Sequence, residues 1–513
     1  MERGLVTGSK SGITFVVMGA ALMALIDITI VNVALNDIRA SFGTPIDQIG
    51  WVSTGYMMAN IVIIPMTGWF QNRFGFRRYF AVSVFVFTAA SALCGLAWNL
   101  PSLVVFRAIQ GLGGGAIIPT AQTILFARYP REQHGMAGAL FGLGAITGPL
   151  LGPTIGGYLI QWASWHWCFL VNVPLGLLVG FLALRFIEQP GFEPSRDPID
   201  GFGIGLLAVG MASLQYTLEE GNRDGWLDSP LIVFLAVVAG VSLVTFIVHE
   251  LETDHPVVDL RVFKNRSYTA GTAINLVMGL ALFSGNFLFA LYCGAILHYE
   301  ALDIGRVFLV SGIAQIFLMP LVGRFTGKID PRALLLVGIV GVAASLWLNA
   351  HLTADSGFGD LVQSMFVRAV SLAFVFIPVS VLALSDLPAA RRGNATGLFN
   401  LTRELGGSIG TAWMGFLVER GTHIHATYLA ESVTPQSPIV QEQLAQIRAV
   451  LGTQTYTPEL VPETILALKV RAQALVLSFN DGFYQATAVF LSAFVLLFFL
   501  KKPRGTGGAA GAH

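Results

Sequence analysis

A few ionisable residues lie well inside long apolar stretches of this sequence: Asp27, Arg107, Arg368, Arg403 and Glu404. Asp27 interrupts the run "ITFVVMGAALMALIDITIVNVAL", which at about 1.5 Å of rise per residue is long enough to cross a bilayer as a helix. A charged carboxylate at membrane depth costs on the order of 2.5–3.5 kcal/mol. Such residues are therefore candidates for function rather than for packing.

The chemistry that suits Asp27 is proton exchange. A carboxylate takes up a proton when it is desolvated and releases it when a cation or water arrives, which is the behaviour of a proton carrier. The alternatives are a static Asp27–Arg107 ion pair or a capped structural carboxylate near the end of the first helix. Because Asp27 lies deeper than the helix end, we favour proton coupling, with Arg107 as its partner.

Glu404 is the second candidate for proton coupling. Its neighbour Arg403 could neutralise it, but adjacent residues on a helix point in different directions. We therefore expect the two side chains to act separately.

Composition defines the setting of these residues. The 513-residue chain is 54% hydrophobic and 12% charged, with no net charge, whereas soluble proteins carry about 25% charged residues. This balance indicates an all-α polytopic membrane protein. The three cysteines lie in apolar stretches and suggest no disulfide framework. The first apolar run is long and lacks a cleavage site, so it is predicted to be a retained span.

The sequence offers no sign of an enzyme. It has no Gly-rich phosphate loop with Lys and Ser/Thr, and no His, Cys and carboxylate cluster at metal-binding spacing. We expect no metal and no cofactor, and an energy source other than ATP.

Apolar runs long enough to span a bilayer number fourteen. They lie near 13–35, 50–70, 79–98, 101–126, 136–160, 166–187, 201–218, 230–249, 269–297, 306–326, 333–350, 361–385, 395–418 and 482–500. With the N-terminus in the cytoplasm, 20 of the 30 Lys and Arg residues fall in the cytoplasmic loops and tails. This bias predicts a multi-pass protein with both termini in the cytoplasm.

Two segments of the chain resemble each other. "GWFQNRFGFR" begins at Gly68 and "GRFTGKIDPR" at Gly323, an offset of 255. "FRAIQG" and "VRAVSL" also fall in corresponding spans. The repeat predicts six-helix bundles at 13–187 and 269–500 with two inserted spans at 201–249, a 6+2+6 arrangement typical of transporters. Chance similarity among Gly-rich segments is the weaker alternative.

The turn that begins at Gly68 contains Arg73, Gly75 and Arg77. Its arginines would anchor the topology by their positive charge. A sharper interpretation is a gating loop, in which Arg73 holds the turn to a neighbouring helix in one conformation only.

The fifth span contains "GPLLGPTIGG", with Gly148, Pro149, Gly152, Pro153, Gly156 and Gly157. Proline inside a helix frees a backbone carbonyl, and glycine at four-residue spacing leaves a smooth face for close helix approach. A simple packing groove is the alternative to a functional role.

These motifs resemble those of the major facilitator superfamily. The Gly68 turn is similar to the loop between its second and third spans, although Asn72 stands where an aspartate is usual. The "GPLLGPTIGG" stretch is similar to its antiporter motif, which implies a pliable, leak-resistant hinge.

Further stretches narrow the resemblance to fourteen-span drug:proton antiporters, and most closely to the EmrB-type multidrug export permeases. They are "LIDITIVNVAL", "WHWCFLVNVPLG", "PVVDLRVFKNRSY" and "GLFNLTRELGGSIG". The sequence departs from the usual pattern at Asn36, His166 and Glu404. The resemblance implies a proton-driven exporter of hydrophobic or amphipathic drugs in a bacterial inner membrane, and thus a contribution to antibiotic resistance.

An outer loop is predicted at 419–481. Val440, Leu444, Ile447 and Leu451 share one face of a helix there. The resemblance implies a periplasmic adaptor protein and, through it, a TolC-type outer-membrane channel as partners. A self-packed lid is the alternative. Two other functions stay open: an exporter dedicated to one metabolite or siderophore, and, in a different class, a membrane sensor or enzyme.

Overall fold

The computed structural model describes residues 8–195, 198–326, 328–434, 436–451 and 460–501, and within these ranges the chain is helical without a β-strand. The α-helices are α1 Lys10–Phe42, α2 Ile46–Ile49, α3 Trp51–Gly95, α4 Leu100–Arg128, α5 His134–Trp162, α6 Trp167–Leu170, α7 Asn172–Phe186, α8 Gly201–Glu220, α9 Pro230–Glu252, α10 Arg266–Ala295, α11 Ala301–Thr326, α12 Pro331–Asn349, α13 Phe358–Leu384, α14 Ala389–Ser432, α15 Pro438–Leu451 and α16 Leu460–Leu497. Short 3-10 helices cover Arg131–Gln133, Trp226–Asp228 and Leu260–Lys264.

The described residues include ten helices that are long and apolar enough to cross a membrane. They are α1, α3, α4, the segment Trp167–Phe186, α8, α9, α10, Asp303–Thr326 of α11, α12 and α13. Of the other predicted spans, one is the second part of α3, and the rest lie within α5, α14 and α16. The chain is thus an all-helical multi-pass membrane protein, and the count of fourteen spans stays a prediction.

Local sequence explains where these helices begin, end and bend. The Ser9 hydroxyl caps the start of α1, and Asn99 forms a capping box with Ser102 at the start of α4. α1 ends at Gly43, whose φ of 62° is the left-handed conformation that glycine favours. Gly75, with φ 77° and ψ 157°, breaks α3 into two parts. The long helix therefore changes direction at the turn identified in the sequence.

α14 and α16 extend beyond the spans predicted for them. α14 continues to Ser432 instead of ending near 418, and α16 begins at Leu460 rather than near 482. Both helices are therefore longer than a bilayer requires, and only 433–459 lies between them, with α15 inside it. Much of the predicted outer loop is helical because polar residues there continue a helix that the apolar pattern does not mark.

The helices form two sets that contact each other directly and also through α8. Helices α1–α7 pack on one another, as do α10–α16, while α8 packs on α9. α8 also contacts both sets: Thr54 of α3 donates to Glu220 (3.4 Å), and Ser408 of α14 donates to Gln215 (3.1 Å). Residues 201–249 thus lie beside both sets, and the division of the chain into domains stays a prediction.

The two sets approach each other closely where α1 begins, an end we call the N-terminal face. A Cβ on Gly68 would overlap the backbone of Asn394, and a Cβ on Gly135 would overlap the carbonyl of Gly323. Hydrogen bonds join the same sets: His134 with Ser385 (3.1 Å), Asn400 to Gln122 (2.6 Å) and Arg392 to the Phe126 carbonyl (3.4 Å). The molecule is therefore closed at the N-terminal face.

Candidate functional site

Asp27 lies near the middle of α1 and is completely buried, with 0% of its surface exposed. Its neighbours along α1 are apolar, so the helix itself offers the carboxylate no partner. A buried charge without partners is strongly unfavourable. The partners come from two other helices, α4 and α7.

Arg107 of α4 is the charged partner. Its Nη1 donates to Asp27 Oδ2 at 2.7 Å, and the arginine is only 1% exposed. The guanidinium also donates from Nε to the Val52 carbonyl (3.2 Å) and lies over the Tyr56 ring, 4.2 Å from its centroid. The structure therefore contains the ion pair that the sequence suggested between these two residues.

Neutral polar side chains complete the site, and sequence reasoning missed them. Gln110 Nε2 and Asn172 Nδ2 donate to Asp27 Oδ1 at 2.9 and 2.7 Å. Both also donate to Ser91 Oγ (3.1 and 3.2 Å), which donates onward to a backbone carbonyl. Gln110 lies one turn after Arg107, and this spacing was the available signal. Asn172 lies in a stretch noted only for its family resemblance.

Two opposing effects act on the charge of the Asp27 carboxylate. The guanidinium and the two amides favour the ionised form of Asp27, whereas its burial favours the neutral acid. The charge balance of the site therefore depends on the positions of α1, α4 and α7, which bring the carboxylate and its donors together.

Glycines of α5 form the surface against which this part of α1 packs. A Cβ on Gly148 would overlap Leu25, a Cβ on Gly152 would overlap Thr29, and a Cβ on Gly156 would lie 2.9 Å from Ile30 Cγ1. These contacts lie on both sides of Asp27. The smooth glycine face expected from the sequence therefore lies directly behind the carboxylate.

The other residues of the "GPLLGPTIGG" stretch lie elsewhere on α5. A Cβ on Gly157 would have nothing within 4 Å, and Pro153 is exposed. Pro149 lies inside the helix bounds. The packing surface thus uses only the glycines at four-residue spacing, and the hinge role of the motif stays a prediction.

Arg403 and Glu404 of α14 form an ion pair, contrary to our expectation of separate side chains. Arg403 Nη2 lies 3.2 Å from Glu404 Oε1. Adjacent helical residues do diverge at Cβ, but both side chains are long enough to meet beyond it. Arg403 is buried near the Phe376 ring, whereas the Glu404 side chain is 26% exposed. Glu404 is therefore the more accessible of the two candidate acids.

The turn after Gly68 contacts the segment that follows α7. Arg73 Nη1 donates to the Ser195 carbonyl at 2.8 Å. The Phe76 amide donates to Gln189 Oε1 (2.8 Å), beside Gly75, whereas Arg77 is exposed. The turn is thus tied to a neighbouring segment through Arg73, and its gating role stays a prediction.

The remaining predicted features lie outside this site. On α15, Val440 and Ile447 are buried and Leu444 is half-buried, while Leu451 has no described side chain. Among the described residues there is no group of three His, Cys, Asp or Glu that could hold a metal ion.

Comparisons with known proteins show the family of the whole chain. The family model described as Major Facilitator Superfamily matches residues 17–411. "Multidrug export protein EmrB" of Haemophilus influenzae is 34% identical over 95% of both chains. "Colistin resistance protein EmrB" of Acinetobacter baumannii is 32% identical over 93% of both chains.

A solved structure supports the fold. The human organic anion transporter MFSD10 (TETRAN) superposes with a TM-score of 0.60 over 96% of this chain and 100% of its own. Its sequence identity is 12%, so the similarity concerns the fold alone.

Proposed function

Because the chain belongs to the major facilitator superfamily, a family of membrane transporters rather than enzymes, we propose that it is a proton-driven exporter of hydrophobic or amphipathic drugs. The names of its relatives, which concern multidrug export and colistin resistance, support this substrate class. Members of the superfamily generally need no cofactor, and here a proton gradient supplies the energy.

The observation that carries the proposal is the buried carboxylate of Asp27, held by Arg107, Gln110 and Asn172 in front of the glycine face of α5. Proton coupling requires a group whose charge differs between two conformations. The donors come from α4 and α7, so a displacement of α1 along α5 separates the carboxylate from them. Asp27 then takes up a proton in one state and releases it in the other.

The orientation follows from the basic loops. The N-terminal face is cytoplasmic and both termini lie in the cytoplasm, as the positive charge of these loops favours. The membrane is the bacterial inner membrane, as the resemblance to EmrB-type permeases implies. The contacts at Gly68 and Gly135 then close the cytoplasmic side, so this conformation releases substrate outward. In the alternative state the bundles 13–187 and 269–500 rock apart at that side, with the Gly68 turn as the gate.

The test compares Asp27→Asn with Asp27→Glu in vesicles that carry an imposed proton gradient and a fluorescent hydrophobic cation such as ethidium. Asp27→Asn should abolish gradient-driven transport, because no group remains whose charge changes, while Asp27→Glu should keep part of it with a shifted pH dependence. Asp37→Asn is the matched control, since Asp37 is exposed on the same helix.

Folded yield separates this mechanism from a static ion pair. If Asp27 only balances Arg107, Asp27→Asn strands a buried charge, which costs about 3–5 kcal/mol and lowers the yield. Well-folded Asp27→Asn protein with wild-type transport would show that the proton uses another group, with Glu404 the next to test.

The partners form a further part of the proposal. The long ends of α14 and α16 support a periplasmic docking surface for an adaptor protein, which connects to a TolC-type channel. The buried Val440 and Ile447 of α15 are covered by the chain itself, as a self-packed lid would require. Deleting 435–460 should spare transport by the purified protein in vesicles yet abolish resistance that needs the adaptor. Loss of transport in vesicles would favour a self-packed lid instead.

A further inference from the structure

Arg368 of α13 is a buried arginine whose charge nothing balances among the described residues. It is 5% exposed, its Nη1 has no hydrogen-bond partner, and no described carboxylate pairs with it. One of its nitrogens, Nη2, donates to Asn286 Oδ1 of α10. A desolvated guanidinium without a counter-charge is costly unless an anion reaches it.

Asn286 and Arg368 lie on the helices that correspond to those of Asp27 and Arg107 in the internal repeat, each about one turn deeper into its helix. Asn286 follows Asp27 by 259 positions (286 minus 27), and Arg368 follows Arg107 by 261 (368 minus 107). In each set, a residue of the first long helix accepts a hydrogen bond from an arginine further along the chain. The second set thus has a neutral carboxamide where the first has a carboxylate.

The hydrogen bond also orients the Asn286 amide. Arginine can only donate, so Oδ1 faces the guanidinium and Nδ2 faces away from it. With 3.6 residues per turn, Asn286 lies between two packed faces of α10. One face holds Gly285, whose Cβ would lie 3.4 Å from Arg368 Nη1, and the other holds Phe283 against Gly407 of α14. The half-buried Asn286 thus lies between the faces of α10 that pack on α13 and α14.

We propose that Arg368 and Asn286 form a recognition site for the carboxylate of an anionic amphipathic substrate. The Nδ2 amide supplies a direct donor, and the guanidinium behind it supplies positive charge in a low-dielectric setting. A carboxylate that displaces Oδ1 also gains the unpartnered Nη1. The same charge disfavours cationic head groups. This inference rests on the export function proposed above, of which it specifies the substrate class.

The experiment measures equilibrium binding to the full-length protein in nanodiscs of zwitterionic lipid, so that the bilayer supplies no anion. The probes share one alkyl chain: dodecanoate, dodecanol and dodecyltrimethylammonium. The variant Asn286→Asp installs a carboxylate like that of Asp27 and should fold well, because it pairs a buried charge. Arg368→Gln removes the charge itself, and Asp37→Asn serves as an exposed control on α1.

Asn286→Asp and Arg368→Gln should each weaken dodecanoate binding about 10- to 100-fold, the range expected for hydrogen bonds to charged groups. Dodecanol binding should change little, and dodecyltrimethylammonium binding should strengthen in Asn286→Asp. Unchanged dodecanoate affinity in both variants would overturn the inference, and so would an equal loss for all three probes, since that indicates pocket damage.

Transport of ethidium separates this inference from the proposed function. If the wild-type protein exports ethidium under a proton gradient but does not bind dodecanoate, the anion site is wrong and proton-driven export stands. If it binds dodecanoate with the expected variant pattern but transports neither probe under a gradient, the export proposal fails and the site stands.

Discussion

Arg107 and Arg368, two of the buried arginines, lie on corresponding helices of the two halves but differ in charge balance. Arg107 donates to a carboxylate that also accepts from two amides, whereas Arg368 donates to a single carboxamide. The helices that carry their partners, α1 and α10, each pack against glycines of another helix. Gly152 of α5 lies against α1, and Gly406 and Gly410 of α14 lie against Leu276 and Leu280 of α10.

The comparison shows that the two halves share their helix packing but not the charge at the centre. Helix packing depends on the size of small residues at fixed spacing, so both halves keep it. The charge at the centre is a property of single side chains and changes without disturbing the packing. A repeat can therefore place two different charge arrangements, a balanced ion pair and an arginine that donates to a carboxamide, on corresponding helices of one fold.

The strongest test of the comparison removes each arginine in turn. Arg107→Gln should destabilise the protein by about 3–5 kcal/mol, because it strands the Asp27 carboxylate. Arg368→Gln should leave stability unchanged or raise it, because it removes an unbalanced charge. Thermal unfolding of both variants in the same detergent measures the difference, and equal losses of stability would end the distinction between the two sites.

The shared packing predicts equal sensitivity at corresponding glycines. Gly152→Val and Gly406→Val should each cost about 1–3 kcal/mol by overpacking, because a Cβ at either position overlaps the facing helix. Gly157→Val is the control, since a Cβ there meets nothing within 4 Å. Folded yield and unfolding temperature test this, and a tolerated Gly406→Val would show that only the first half depends on close packing.

The smallest effect concerns the two corresponding turns at the N-terminal face. Arg73→Ala should cost about 1 kcal/mol and slow exchange, because it removes the hydrogen bond to Ser195. Lys328, its counterpart in the repeat, is exposed, so Lys328→Ala should change stability by less than about 0.5 kcal/mol. Vesicle transport rates at matched protein amounts compare them. Equal slowing would mean that both turns act as gates.

The fold and the ionised part of the site could be predicted from the sequence. Apolar runs interrupted by a single charge are rare, so Asp27 and Arg107 were recognisable, and their pairing is present. The glycine face of α5 was equally visible, because four-residue spacing has a direct geometric meaning.

The neutral members of the site could not be predicted in the same way. Gln110, Asn172 and Ser91 are ordinary polar residues on separate helices, and only the tertiary structure brings them to one carboxylate. The prediction that Arg403 and Glu404 act separately was wrong, because the directions of the Cβ atoms do not determine where two long side chains end. Asn286 was missed because a carboxamide carries no charge to attract notice.

The closed N-terminal face also has a thermodynamic consequence. Its tightest contacts are glycine backbones, at Gly68 and at Gly135 against Gly323. A glycine has no side-chain rotamers to lose, whereas burying a long polar side chain costs up to about 2 kcal/mol of conformational entropy. The glycine contacts therefore close their part of this face without immobilising any side chain, whereas the neighbouring contacts of Arg392 and Asn400 do carry that entropic cost.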